Sequence, residues 1–133
     1  MKKASHLVGL WLVFFLAGCP APLVFFGAGT AAGIVGYKYY EGALEVVYEA
    51  PYMETWDATL KALERMNLRV EEKEHDLTKG KIVAKRADNK TVNIKISYQS
   101  SKETKVVIRV GVLGDEEASM AIKEEIRKAL FEA

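Results

Sequence analysis

The sequence predicts an α+β fold: a two-layer sandwich in which one antiparallel sheet carries two helices on one face, in the order β-α-β-β-β-β-α. Two observations lead there. Between residues 43 and 111 several short segments alternate apolar and polar residues, so each buries one face only, the pattern of an antiparallel sheet covered on one side. Two other segments space their apolar residues three and four apart, as amphipathic helices able to cover that face. Residues 43–133 are therefore read as a single domain, large enough for an adequate core.

The elements follow in order. In Ala43 to Ala50, Leu44, Val46 and Tyr48 point one way, and Glu45, Val47 and Glu49 the other. Pro51 stands where helices often open, and Met53, Trp56, Leu60 and Leu63 recur at helical spacing up to Asn67, which tolerates the left-handed backbone that closes a helix. Leu68 to Glu74 forms the next strand, with Leu68 and Val70 on one face. The turn Asp76 to Gly80 leads to Lys81–Arg86, with Ile82 and Ala84 inward. Asp88-Asn89 suits a hairpin turn, after which Val92, Ile94, Ile96 and Tyr98 alternate with Thr91, Asn93, Lys95 and Ser97. Gln99 to Glu103 turns the chain into a last strand with Val106, Ile108 and Val110 inward. Gly111 and Gly114 bracket a turn, and Asp115 is placed to cap the final helix. Glu116 and Glu117 sit at its positive end, Arg127 and Lys128 near its negative end, and Ala118, Ile122, Ile126, Ala129 and Leu130 face inward.

Ahead of this domain, Lys2 and Lys3 precede the apolar run Leu7 to Cys19, which ends in Leu16-Ala17-Gly18-Cys19. The run is long enough for a signal core and short for a spanning helix, small residues open the backbone to a peptidase, and the thiol can carry a diacylglycerol thioether. Residues 1–18 are read as a lipoprotein export signal and Cys19 as the lipidation site. Cys19 is the only cysteine, so no internal disulfide forms.

Residues 19–42 form a second, Gly/Ala-rich apolar piece. Pro20 and Pro22 separate it from the signal. One helix through residues 7–37 would be about 46 Å long, too long for a hydrocarbon core of about 30 Å. Gly29 and Gly33 make a GxxxG, with Ala28, Ala32 and Gly36 at the same spacing. Three placements stay open for Leu23 to Tyr37: a helix at the bilayer surface or on a partner, a loose tether, or a second span. Tyr37, Tyr39 and Tyr40 with Lys38 suit an interfacial belt or the start of the folded domain.

The segment Ile108-Arg109-Val110-Gly111, then Gly114-Asp115-Glu116 and Ser119, resembles a family of small bacterial lipoproteins whose shared domain has no assigned function. Tyr40-Glu41-Gly42, the Pro51 to Leu63 helix with Trp56, and Gly80-Lys81-Ile82 agree. The resemblance covers residues 37–126 and the Leu16 to Cys19 box. It implies a lipid-anchored envelope protein and brings no catalytic residue. Members often have glycine after the first helix, where this chain has Asn67.

Converging reactive groups are missing from the sequence. The cysteine is taken by lipid, and His6 leaves with the signal. His75 remains within the charge run Glu71, Glu72, Glu74, Asp76, without metal-ligand spacing. No phosphate-cradling glycine loop is present. Ser119 and Asp115 lie one helical turn apart with no base. Arg109 and Asp115 are expected to pair across the glycine turn, as a structural clasp or a ligand contact. No enzyme activity, metal or cofactor is expected.

Loss of Lys2 and Lys3 turns the formal charge from +1 to −1, which speaks against nucleic acid as a partner. The outward sheet face is nonetheless basic. Arg69, Lys73, Lys81, Lys85, Lys95, Lys105 and Arg109 are assigned to it against Glu45, Glu49 and Glu71, with Val47, Val83 and Val107 among them. Lys81, Lys85, Lys95, Lys105 and Arg109 form the candidate interaction surface, for anionic lipid or an acidic envelope protein, unless the lysines only keep a naked sheet soluble. The expected function is a non-enzymatic interaction or assembly module, lipid-anchored outside the cytoplasm at the inner or outer membrane. The alternative is a small-molecule or lipid-binding module using space near Trp56 and Tyr98.

Overall fold

The computed structural model describes residues 32–132; the signal, Cys19 and residues 20–31 of the apolar segment lie outside the described residues. The described elements are β1 (Ile34–Tyr40), β2 (Ala43–Tyr48), α1 (Tyr52–Arg65), β3 (Arg69–His75), β4 (Lys79–Lys85), β5 (Thr91–Ser100), β6 (Glu103–Val110) and α2 (Glu116–Phe131). The strands form one six-stranded sheet in the order β1-β2-β6-β5-β4-β3, and every neighbouring pair is antiparallel. Both helices pack on the same face and against each other, α2 over β2 and β6, and α1 over β5, β6 and β3. This is the α+β sandwich with β-α-β-β-β-β-α running from β2 to α2, preceded by one more strand.

That strand corrects the reading of residues 19–42. For Ile34–Tyr37 the surface helix, the loose tether and the membrane span all give way to β1, which runs on to Tyr40. Tyr37, Tyr39 and Tyr40 therefore belong to the start of the folded domain, and the sheet begins at residue 34 rather than 43. The cause is local. Tyr37 and Tyr39 sit opposite Val46 and Leu44 and pack on the core, while Lys38 and Tyr40 point outward. Glu41 (φ 49°) and Gly42 (φ 85°) both take positive φ, which makes a two-residue turn whose twist suits the hairpin. Lys123 of α2 places its ammonium 4.3 Å from the Tyr37 ring centroid and ties β1 to the helix layer.

The core lies between sheet and helices. Leu44, Val46, Ile82, Ile94, Ile96 and Ile108 are fully buried beneath Leu63, Ile122 and Ile126. Its polar groups are largely satisfied. The Tyr48 hydroxyl donates to the Lys123 carbonyl at 2.8 Å, Thr104 donates to the Ala50 carbonyl at 2.8 Å, and Thr59 to the Thr55 carbonyl at 2.7 Å. Burial pushes the Tyr48 phenol well above its ordinary pKa and pulls the Lys123 ammonium down.

α1 starts one residue after Pro51, which occupies the N-cap position with φ −65°. It ends as expected: Asn67 takes φ 60°, and the Leu68 amide reaches back to the Leu63 carbonyl at 2.9 Å. Met53 differs from expectation and is exposed; the buried stripe runs instead through Tyr52, Thr55, Trp56, Thr59, Ala62 and Leu63. At α2 the Asp115 carboxylate accepts from the Ala118 amide at 3.0 Å, capping the first turn.

Candidate functional site

Among the described residues nothing covers the face of the sheet away from the helices, and it holds the residues singled out from the sequence. Lys81 and Lys85 on β4, Lys95 on β5, and Lys105 and Arg109 on β6 all alternate with buried residues and so point outward. Strand register turns them into a surface. Lys81 is opposite Lys95, Lys95 is opposite Val107, and Val107 is opposite Glu45. One step along, Ser97 separates Lys79 from Lys105.

β3 contributes different residues from those expected. A bulge at Glu71 shifts the register: Val70 pairs with Ala84, but the next partner, Val83, meets Glu72. Beyond the bulge the faces swap. Lys73 lies opposite buried Ile82 on the helix side, and Glu72 and Glu74 take the open side in place of Glu71 and Lys73. The open face is therefore less basic at β3 than the alternation implies, and Lys81 finds Glu72 at 3.8 Å. A groove of about 600 Å³ opens along this end, lined by Lys79, Lys81, Lys95 and Ser97 together with Glu74 and His75.

Arg109 has a second role, and it is not the expected one. Its guanidinium donates to the Glu41 carbonyl at 2.7 Å and to the Val112 carbonyl at 3.3 Å; it does not pair with Asp115. Asp115 instead faces Arg86 at 3.8 Å and caps α2. The reason is geometric. Gly111 (φ 78°) and Gly114 (φ 90°) fold the turn back onto the β1–β2 hairpin, with Gly114 resting on Gly42 so closely that any side chain would collide with backbone. Two of the sequence segments that carry the resemblance, residues 40–42 and 108–116, thus meet in one corner. Arg109 fastens it, and Val112 and Leu113 at the tip of the turn are left 90% and 88% exposed.

Ser119 is fully buried on α2, and its hydroxyl finds no partner among the described residues. His75 packs against the Trp56 ring at 4.5 Å between centroids. Asp76 is a turn residue: the amides of Thr78 and Lys79 donate to its carboxylate at 2.9 Å each and hold it below the usual carboxylate range. Among the described residues no three His, Cys, Asp or Glu side chains cluster to hold a metal. Trp56 lies on Gly80 so closely that a Cβ added to that glycine would stand 2.5 Å from its ring. Tyr98 is 47% exposed rather than in the core. No described helix is long and apolar enough to cross a membrane.

The architecture defines a class: a small α+β module with one face committed to its own core and the other presented outward. Its family follows from comparison. The chain belongs to DUF3568, a family of proteins of unknown function, whose model matches residues 3–129. A search of curated proteins finds no match.

Proposed function

We propose that the chain is a bacterial lipoprotein, held by acyl chains on Cys19 at a membrane of the cell envelope, and that the sandwich outside the cytoplasm is a non-enzymatic interaction module. The observation that carries this is the order of residues at the N-terminus: two lysines, a short apolar run, and Leu16-Ala17-Gly18 directly before the single cysteine. The open sheet face supports the second half of the reading. A two-layer domain that leaves one sheet face uncovered among the described residues has a surface to offer.

Metabolic labelling with a palmitate analogue tests the anchor. The wild-type chain should incorporate label and sediment with membranes. Cys19→Ser should lose the label and accumulate as uncleaved precursor. Equal labelling of the two would refute the assignment.

A further inference from the structure

We propose that a cationic stripe on the open face docks the domain onto an anionic lipid surface, its lysines meeting phosphate headgroups. The stripe occupies the three strands β4, β5 and β6, through Lys79, Lys81, Lys85, Lys95, Lys105 and Arg109. The one carboxylate facing outward from these strands is Glu103 at the start of β6; other acids of the face, Glu45 on β2, Glu49 just after it, and Glu72 and Glu74 on β3, flank the stripe.

The register carries the argument further than the charge total. Lys81 stands directly opposite Lys95, and Arg69 of β3 directly opposite Lys85. Glu72 offsets Lys81 at 3.8 Å and Glu71 offsets Arg69 at 3.2 Å, which leaves Lys95 and Lys85, among the described residues, as the uncompensated members of the two pairs. Like charges placed opposite each other on one face weaken a ladder. Solubility alone would be served as well by lysines alternating with carboxylates, which attract across strands. An anion lying over the opposed pairs converts the repulsion into shared attraction. Among the described residues neither Lys95 nor Lys105 has a carboxylate within 4.0 Å, so both are available. The half-buried Val47, Val83 and Val107 form the floor between them, Ser97 adds a hydroxyl, and neither helix stands in the way of a broad surface.

The choice of lipid over an acidic protein rests on the anchoring reading above. Residues 20–33 span at most about 50 Å when fully extended. The stripe begins about 10 Å across the sheet from β1 and ends about 19 Å from it, at β6 and β4 respectively. Every lysine of the stripe therefore lies within reach of the membrane to which Cys19 would be fastened, where headgroup phosphates are at high effective concentration.

The test uses the full chain reconstituted into vesicles of phosphatidylcholine containing phosphatidylglycerol, or of phosphatidylcholine alone, with the rate of amine acetylation at each lysine read by mass spectrometry. Lys81, Lys95 and Lys105 should be slowed about threefold or more, relative to Lys61 on α1 and Lys128 on α2, in the anionic vesicles only. The protection should vanish at about 1 M salt, where screening acts within about 3 Å. In the full-length Lys81→Gln, Lys95→Gln double variant, Lys105 should lose its protection while the fold is kept, because the substitution removes a repulsion. Equal rates in the two vesicle types would overturn the proposal. So would protection that appears in native membranes but not in protein-free anionic vesicles, which would assign the face to an acidic protein. The intact mass of the same sample reports whether Cys19 is acylated, so failure of docking and failure of anchoring are read separately.

Discussion

Ile94 and Lys95 are neighbours in β5, yet they answer to different surroundings. Ile94 is fully buried under the helices, with Ile82 and Ile108 opposite it; Lys95 stands on the open face between Lys81 and Val107. The same alternation runs through β2, β4 and β6. One set of residues is fixed by packing, where loss of a methylene is felt, and the other is free to serve something outside the fold. The comparison teaches where to look for function in this domain: among residues that packing does not explain.

The largest effect should separate these two neighbours. Ile94→Ala should cost about 2–5 kcal/mol in denaturant unfolding, through lost burial and the cavity left behind. Lys95→Ala should change stability by no more than about 0.5 kcal/mol. Comparable losses at the two positions would erase the distinction between the faces.

Next in size is the corner that Arg109 fastens. Gly114 combines φ 90° with contact against the Gly42 backbone, so Gly114→Ala should cost roughly 2–4 kcal/mol. An unchanged melting temperature would mean that the corner is not rigid.

Acid should act on the surface turns before the core. Asp76, Asp88 and Glu124 are all held below their ordinary pKa, the first two by backbone amides and the third by Arg127. Their stabilisation is complete above the unfolded values of 3.8 and 4.5 and is lost as pH falls through the depressed folded values. Stability should therefore be flat from pH 7 to about 5 and decline below about 4. A decline already near neutrality would point to other groups.

The smallest effect tests the helix side. The Ser119 hydroxyl is buried without a partner, so Ser119→Ala should be neutral or should stabilise by up to about 1 kcal/mol. A clear loss of stability would show that the hydroxyl has a partner.

Much of the fold was legible because burial on one face writes period two into β2 and β4–β6, and the helix ends carry local chemistry: Asn67 at a left-handed position, Asp115 at a cap. β1 was hidden because its residues continue the apolar composition of the segment before it. The usable signal was Tyr37 and Tyr39 alternating with Lys38 and Tyr40 ahead of the Glu41-Gly42 turn. The five residues of the candidate surface were readable for the same reason as the strands. The faces of β3 were not, since a bulge at Glu71 depends on pairing with β4 and leaves no mark in an exposed, charged strand. Nor was the partner of Arg109, because the carbonyls it binds belong to a hairpin 68 residues away and to the irregular turn beside it.

The central claim is a sandwich fastened to a membrane through one sulfur, and the intact mass of the chain extracted from envelope membranes tests it most directly. The account predicts a chain beginning at Cys19 and heavier than residues 19–133 by its attached acyl groups. A mass that matches the unmodified chain starting at Met1 would contradict it.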